Sequence, residues 1–435
     1  MYMITSPHTQ ELSMDQQYNT LTGESAFSIL FSLKEYHVAG RETSMEIIVS
    51  DRVKAIGSYA FADVDNIVEQ LKEQGIEPID FGVGDPTLPT PEIVRKACRE
   101  GIEKRKSAGY PSYVGDPEFR ETVSWWSRRR FNIDLDPVTE IMSTIGSKEA
   151  IFNFPETFIN PGDYTLALNP GYPAWSRGTH FAEGKTHFLN LLPENNFLPD
   201  LKSVPKNVLK RAKILWINYP NNPTTAFPTE QFYQEVIDFC EEHNIIIASD
   251  ESYTENYYDE APASILQLKK EGIVVFQSLS KRSNMTCYRV GWIAGDRRII
   301  DAYKKVKPNI DSGTATFVQD AAIAALRDET HVTQLREDYR KKRNILIDAL
   351  CAAGLPRSEP KGTIYIWQPV PPGYTSVDFS KKLLDKDVAV VTTPGNWLSR
   401  EVHGVNPGEG FVRFAIVAEL KKVKEAAQRI ANLKL

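Results

Sequence analysis

The feature that most constrains the fold is a series of short apolar runs in the middle of the chain, each bounded by turn residues. We predict a strand in each of them: 163–170, 212–220, 244–251, 272–280 and 289–295. Amphipathic stretches such as 230–243 lie between several of these runs and predict helices. This alternation is typical of an α/β fold, in which helices flank a mostly parallel mixed sheet.

The pattern changes after about residue 330 and predicts a second, smaller α+β domain. A charged helical stretch is followed by shorter strand-like runs and a final helix, at 333–350, 364–369, 388–394, 410–416 and 419–433. A helix over 64–75 and a short strand at 79–81 are predicted near the start of the chain. We therefore predict a large domain over 95–330 and a small domain composed of 45–94 and 331–435.

The first 44 residues are polar and weakly periodic, and they lack the basic start and apolar core of a secretory signal. A second methionine, Met45, precedes the first predicted element. Residues 1–44 are therefore expected to be a flexible extension or the product of an upstream start codon. Because the sequence shows no signal and no apolar run long enough to cross a membrane, we expect the protein in the cytoplasm.

Composition argues against several other classes of function. The 435 residues carry a net charge of -6, whereas a nucleic-acid surface requires a basic patch. Cys98, Cys240, Cys287 and Cys351 show no CxxC spacing, so we expect neither a zinc site nor a disulfide framework. We predict that all four are small buried residues in a reducing compartment.

Polar side chains follow several of the predicted strands. Asn222, Asp250 and Lys281 each lie at or just after the carboxyl end of an apolar run. Open α/β sheets bind ligands at this edge, where the loops that follow the strands converge. We therefore expect these three residues, which are distant in sequence, to lie close together.

Lys281 has the most informative surroundings of the three. A lone lysine is most often a surface residue, but Ser278 and Ser280 precede this one and Arg289 follows it before the next strand. Hydroxyl and guanidinium groups bind phosphate, and an amine forms an imine with an aldehyde. The segment therefore suits a ligand that carries both a phosphate and an aldehyde.

The other polar residues each have a structural alternative. Asp250 also suits a helix N-cap, Asn222 a turn before proline, and Tyr172 the apolar core. Gly146-Ser147-Lys148 opens a predicted helix and can bind phosphate, although it is not a Walker loop. Arg413 lies in an apolar strand and requires an anionic partner, which is either a substrate carboxylate or an internal salt bridge.

One cofactor accounts for the whole set. A carboxylate at Asp250 can keep a pyridine nitrogen protonated, so that the ring withdraws electrons. Asn222 and Tyr253 can bind a ring oxygen, and Tyr172 can stack on the ring. Together with an imine-forming lysine and a phosphate site, these are the requirements of pyridoxal 5'-phosphate (PLP).

The motifs YPNNPT, DESY, SLSK and VRFAI, in this order, resemble the class I/II PLP-dependent aminotransferases of fold type I. The resemblance runs from about residue 46 to the C-terminus and implies that Lys281 binds PLP covalently while Asp250 pairs with its ring nitrogen. The other cofactor contacts that it implies are Tyr172, Asn222, Tyr253, Ser147, Lys148, Ser278, Ser280 and Arg289. Substrate contacts are implied for Gly84, Asn222 and Arg413. Tyr110 is expected to reach the phosphate of a neighbouring subunit, which implies a homodimer.

Residues 58–66, 81–91 and 278–292 are similar to the LL-diaminopimelate and N-succinyl-diaminopimelate aminotransferase groups. The implied reaction moves an amino group from an L-amino acid to a 2-oxo acid such as 2-oxoglutarate by a ping-pong mechanism. An aspartate- or alanine-type aminotransferase and a PLP-dependent β-lyase remain alternatives, because the same cofactor residues serve them. A PLP-sensing DNA-binding regulator is disfavoured by the short, weakly basic extension. Two residues depart from the family pattern, since Thr225 and Cys287 replace common glycines.

Overall fold

The computed structural model describes residues 47–56, 62–431 and 433–435, so the flexibility predicted for 1–44 lies outside the described residues. The chain divides into two units, Met1–Lys54 and Ala55–Leu435. The described helices are α1 Asp51–Lys54, α2 Ala62–Glu73, α3 Glu92–Lys104, α4 Pro117–Phe131, α5 Ser147–Asn153, α6 Pro173–Phe181, α7 Lys206–Leu209, α8 Glu230–His243, α9 Leu279–Arg282, α10 Arg297–Val306, α11 Thr316–Arg327, α12 Thr330–Ala352, α13 Ser376–Leu383 and α14 Leu420–Ile430. The described strands are β1 Ile79–Asp80, β2 Ile141–Thr144, β3 Tyr164–Asn169, β4 Lys185–Asn190, β5 Ala212–Asn218, β6 Ile246–Asp250, β7 Ile273–Ser278, β8 Gly291–Gly295, β9 Tyr365–Pro369, β10 Val390–Val391, β11 Thr393–Pro394 and β12 Phe411–Ala415.

The large sheet is mixed and has the strand order β2-β8-β7-β6-β5-β3-β4. The strands from β3 to β7 pair in parallel, whereas β8 is antiparallel to both of its neighbours, β2 and β7. Every position of β7 and β8 is buried, as expected for strands covered on both faces of the sheet. Each of the strands predicted in this region is present as β3, β5, β6, β7 or β8.

Two strands of this sheet escaped the sequence prediction. The edge strand β4 has the sequence KTHFLN, which is too polar to stand out as an apolar run. The four-residue strand β2, IMST, is too short to show a period. Both pair with strands that were predicted, so pairing rather than local pattern specifies them.

Four tryptophans pack in the core around the large sheet. Trp126, Trp175, Trp216 and Trp292 are almost completely buried. The rings of Trp175 and Trp216 stack with centroids 6.3 Å apart, and those of Trp126 and Trp292 meet edge-to-face at 5.4 Å. Aromatic pairs of this kind stabilise a core beyond their buried area. The strands whose ends carry the polar residues are therefore supported by a well-packed core.

A second set of strands brings the residues near position 80 together with the C-terminal part of the chain. β9, β11 and β12 form an antiparallel sheet in the order β11-β12-β9, and β1 pairs in parallel with β10. These strands share an apolar cluster with α12 and α14, in which Phe81, Leu350 and Phe414 are fully buried. The domain boundaries predicted from the sequence remain a prediction. Within the described residues, no helix is both long enough and apolar enough to cross a membrane.

Candidate active site

A single helical turn presents Lys281 at the carboxyl end of β7. Ser278 caps this turn, because its hydroxyl accepts a hydrogen bond from the Ser280 amide at 3.1 Å. The Lys281 ammonium donates to the carbonyl of Gly84 at 2.5 Å. Burial lowers the pKa of Lys281 to about 8, with Asp85 opposing the shift and nearby arginines adding to it. A lysine in this range supplies a neutral amine near neutral pH, as a nucleophile requires.

Asp250 lies at the end of β6, the strand next to β7. It is buried, and its Oδ1 accepts from the Ser252 hydroxyl at 2.6 Å and the Ser252 amide at 3.2 Å. Burial raises the pKa of Asp250 to about 6 in spite of these bonds. Among the described residues no lysine, arginine or histidine forms a salt bridge with it. A protonated ring nitrogen would supply the missing cation.

The ends of β2, β7 and β8 meet where the phosphate is expected. Gly291 is paired with Thr144 on one side and with Ser278 on the other, which brings Ser147 and Arg289 to the same edge. A Cβ on Gly146, whose φ is +70°, would lie 2.4 Å from Nη2 of Arg289. The glycine therefore leaves the space that the guanidinium occupies.

The expected phosphate site contains several hydrogen-bond donors, and its arginine is not paired with a carboxylate. Arg289 donates to the Thr286 carbonyl at 2.7 Å and has no acidic partner among the described residues. The hydroxyls of Ser278 and Ser280 are 3.0 Å apart, and those of Ser147 and Ser252 are 3.3 Å apart. Lys148 is exposed. An unpaired guanidinium beside hydroxyls is suited to an anion, and this donor set fits the PLP phosphate.

Arg413 and Asn222 meet on the other side of the lysine. Arg413 is 8% exposed, and its Nη1 donates to Asn222 Oδ1 at 2.9 Å while its Nη2 donates to the Gly82 carbonyl at 2.8 Å. Its Nε is buried without a hydrogen-bond partner. The predicted alternative, an internal salt bridge, is absent for Arg413 within the described residues. A buried guanidinium without a counterion is suited to a substrate carboxylate.

Tyrosines line the space between these groups. Tyr172 precedes α6, and the pKa of its phenol is raised by burial and then by the charge of Asp250, which places the two groups near each other. The hydroxyls of Tyr253 and Tyr365 are 3.0 Å apart. Tyr110 is not brought to this site: its side chain is 92% exposed.

Tyr365 is the main functional candidate that the sequence did not indicate. Its ring lies 4.5 Å from the guanidinium carbon of Arg413, and its hydroxyl fills the space where a Cβ on Gly84 would lie. Its strand had been predicted, but nothing in the local pattern IYIWQP distinguishes this aromatic from a core residue. Thr393 and Gly82, which also contact Arg413, carry no sequence signal either.

The two residues that depart from the family pattern are Thr225, which has a strained backbone, and Cys287, which lies at the surface. Thr225 has φ +62°, so the common glycine is replaced by a β-branched residue in the left-handed region, which is unfavourable by about 1 kcal/mol or more. Cys287 is exposed. The prediction that all four cysteines are buried is wrong: Cys240 is buried, Cys98 and Cys351 are partly buried, and Cys287 is exposed.

A model of the family described as aminotransferase class I and II matches residues 76–430. This chain belongs to that family. It is therefore a transaminase that depends on PLP, and the predicted fold type I, enzyme class and cofactor are confirmed.

The relatives of this aminotransferase match it over nearly their whole length. An LL-diaminopimelate aminotransferase of Aquifex aeolicus is 45% identical over 390 residues, which is 89% of this chain and 99% of the relative. An LL-diaminopimelate aminotransferase 2 of Trichormus variabilis is 43% identical over 386 residues, or 88% and 97% of the two chains.

Solved structures agree with the fold. Apo-BacF of Bacillus subtilis superposes with a TM-score of 0.82 and 32% identity, covering 90% of this aminotransferase and 99% of that chain. An aspartate aminotransferase mutant of Thermus thermophilus superposes with a TM-score of 0.80 and 27% identity, covering 89% and 100%. The architecture is thus shared by enzymes with different names.

Proposed function

We propose that this aminotransferase moves an amino group from LL-diaminopimelate to a 2-oxo acid, with 2-oxoglutarate as the acceptor. The observation that carries the proposal is the 45% identity, over 99% of its length, to the LL-diaminopimelate aminotransferase of Aquifex aeolicus. The aspartate aminotransferase of Thermus thermophilus shares the fold at only 27% identity. Sequence similarity therefore favours the diaminopimelate substrate over the aspartate one.

Lys281 is the central residue of the proposed chemistry. Bound PLP supplies an aldehyde carbon and an electron-withdrawing ring. Lys281 Nζ would hold that carbon when no substrate is bound, and its amine would take up and return the proton of the substrate α-carbon. Its pKa of about 8 leaves a fraction of the amine neutral for both tasks.

The remaining residues bind and orient. Asp250 would hold the ring nitrogen protonated, because its buried carboxylate lacks any other cation in the described chain. Asn222 and Tyr253 would bind the ring oxygen, and Tyr172 would cover the ring. The phosphate would be held by Ser147, Lys148, Ser278, Ser280 and Arg289. Arg413 would hold the substrate α-carboxylate.

The assembly is proposed to be a cytoplasmic homodimer with shared active sites. The support is Tyr110, whose side chain is 92% exposed on its own subunit although family resemblance places it at a phosphate. An aromatic side chain that is this exposed on one subunit would be stabilised by burial in an interface between two subunits. The phosphate site of each subunit would then be completed by the tyrosine of its partner.

An absorbance titration of the PLP-loaded protein tests the proposed substrate. LL-diaminopimelate, N-succinyl-diaminopimelate, L-glutamate, aspartate and alanine are each added without an acceptor. Loss of the visible band is expected with LL-diaminopimelate, and 2-oxoglutarate is expected to restore it. A band that responds to aspartate or alanine but not to LL-diaminopimelate would contradict the proposal. Release of pyruvate and ammonia from a cysteine-type substrate, added separately without an acceptor, would instead establish a lyase.

The role of Lys281 is tested with a matched pair of lysine variants. Lys281→Ala is expected to lose transamination by at least about 1000-fold, because it removes the amine proposed to bind the cofactor and to move the substrate proton. Lys305→Ala, which removes an exposed lysine of α10, is the control and is expected to keep wild-type activity. Wild-type turnover by Lys281→Ala would reject the assignment.

A further inference from the structure

The turn that carries Lys281 cannot hold its own shape. α9 contains only Leu279–Arg282, and a single helical turn gains too few hydrogen bonds to offset the entropy of ordering it. The position of the Lys281 amine therefore depends on contacts from outside the turn. Asn256 supplies one such contact, since its amide donates to the Lys281 carbonyl at 3.3 Å.

The stronger contacts come from the end of α11 and from the residue that precedes α12. Arg282 is 3% exposed, and its Nη1 donates to the Ala325 carbonyl at 2.7 Å and to the Ser283 hydroxyl at 3.2 Å. Its Nη2 donates to Glu329 at 2.5 Å. The residue after the lysine is thus tied to the segment that connects α11 and α12.

His331 completes this connection. Its Nε2 lies 2.9 Å from the Ser283 hydroxyl, and its Nδ1 lies 2.6 Å from the Asp328 carboxylate. Because a carboxylate only accepts hydrogen bonds, Asp328 holds the proton on Nδ1. Nε2 of a neutral ring then accepts from Ser283. The charged groups around the imidazole are Asp328 and Glu329 near the start of α12 and Arg282 on the lysine turn.

The order serine, histidine, aspartate is that of a hydrolytic triad, but the surroundings exclude that chemistry. Ser283 is 0% exposed, so no substrate can reach its hydroxyl. The hydroxyl also accepts a hydrogen bond from Arg282, which lowers its nucleophilicity. A groove of about 600 Å³ is lined by His331 and Asp328 but not by Ser283.

The connection also reaches the acceptor of the lysine amine. Thr90 donates to the carbonyl of Asn284 at 2.6 Å, next to Ser283. The segment that begins at Gly84, whose carbonyl binds Lys281 Nζ, is therefore attached to the same turn.

We infer that His331, held by Asp328, is a positioning residue for Lys281: it fixes the Ser283 end of the lysine turn to the start of α12. The inference rests on the proposed role of Lys281. A displaced turn changes where the lysine nitrogen lies relative to the aldehyde carbon and the ring. The proton affinity of that nitrogen in the PLP-loaded enzyme then changes along with the rate of proton transfer.

Two substitutions at His331 separate its two contacts. H331Q places an amide near the position of Nε2 and keeps the contact with Ser283, whereas H331N keeps only the contact on the Asp328 side. In H331N, the pH midpoint of the visible band of the PLP-loaded protein is expected to shift by about half a unit or more. Its kcat is expected to fall by about tenfold, with KM changed by less than about threefold. H331Q is expected to stay close to wild type in both measurements.

Ser283→Ala provides a second, smaller change. It breaks the contact with His331 that H331N breaks, and it also removes a hydrogen-bond acceptor of Arg282. The midpoint is expected to shift at least as far as in H331N, and adding H331N to Ser283→Ala is expected to give no additional shift. His187→Asn on β4 is the control for loss of a partly buried imidazole and is expected to leave the midpoint unchanged. A midpoint in H331N and Ser283→Ala equal to that of wild type would overturn the inference, even if both variants melt at lower temperature. A wild-type protein that shows no visible band with PLP would overturn the proposed function as well.

Discussion

At the scale of single residues, the site is a set of buried ionisable groups that the described chain does not neutralise. Asp250 has no cation, Arg413 has no anion, and the pKa of Lys281 is lowered by burial. Each is unfavourable for folding when considered alone. Each is also complementary to one part of a PLP-bound amino acid: the ring nitrogen, the carboxylate and the aldehyde carbon.

Arg413→Lys tests the carboxylate site. A lysine keeps the charge but lacks the planar pair of parallel N–H donors with which a guanidinium binds both oxygens of a carboxylate. The kcat/KM for LL-diaminopimelate is expected to fall by about 100-fold while PLP loading stays unchanged. Steady-state kinetics measure the first quantity and absorbance the second. Arg357→Lys, at an exposed pair with Asp348, is the control. An unaltered kcat/KM in Arg413→Lys would show that the substrate carboxylate binds elsewhere.

Glu251 is a buried carboxyl group that the proposed chemistry does not use. Burial raises its pKa from 4.5 to about 7, although Ser264, the Ile265 amide, Ser249 and Gln277 all donate to it. The folded state therefore keeps this proton over a range where the unfolded state has lost it. The stability that the proton supplies is complete below pH 4.5 and is lost as the pH rises through 7.

Glu251→Gln is expected to remove this pH dependence, since the amide is neutral and nearly isosteric. Relative to the variant, the free energy of unfolding of wild type is expected to fall by roughly 3 kcal/mol between pH 4.5 and pH 8. Urea unfolding at several pH values measures it, and the exposed Glu260→Gln is the control. If the free energy of unfolding changed with pH in the same way for wild type and Glu251→Gln, the pKa of Glu251 would be the same in the folded and unfolded states.

At the scale of elements, the site is assembled from the ends of neighbouring strands. β5, β6 and β7 pair in parallel, so the residues that follow them emerge on one edge. α5 begins at the same edge because β2 is joined to β7 through the antiparallel strand β8. Gly146, between β2 and α5, sets how closely the guanidinium of Arg289 approaches.

Gly146→Ala is expected to displace Arg289, because the new Cβ would lie 2.4 Å from Nη2. The Kd for PLP is expected to rise by about tenfold or more as the phosphate loses a charge-assisted hydrogen bond. Equilibrium dialysis of the apoprotein measures this Kd. Gly75→Ala carries the same backbone strain at φ +76° but has open space around the Cβ, so it is expected to keep wild-type affinity. Equal affinities of the two variants for PLP would show that Arg289 does not bind the phosphate.

At the scale of the whole molecule, the chain forms a large apolar core around the main sheet and a second core around β9, β12, α12 and α14. The active site lies where residues attached to both cores meet. Tyr253 belongs to the second core although it follows a strand of the main sheet. The exposed Tyr110 is the residue that this single chain leaves outside its own site.

Mixing two inactive variants tests the shared site. Tyr110→Ala is expected to weaken the phosphate site of the partner subunit, and Lys281→Ala inactivates its own site. After subunit exchange in equal amounts, each mixed dimer has one intact site, so activity is expected to recover to about a quarter of wild type. Activity assays before and after exchange measure the recovery. If no activity returns although mixed dimers form, Tyr110 does not act across the interface.

Local sequence indicated most strands of the large sheet and the polar residues that are proposed to bind the cofactor. The apolar runs that became β3, β5, β6, β7 and β8, and the polar residues Asn222, Asp250 and Lys281 after them, are visible because strand length and turn chemistry are properties of neighbouring residues. Tertiary structure alone decided that β8 runs antiparallel, that Tyr365 lies beneath Arg413, and that His331 reaches Ser283. Gly82 and Arg413 are 331 residues apart and yet share a hydrogen bond. Such contacts depend on strand register and on the packing of two cores, and neither is recorded in the periodicity of any one segment.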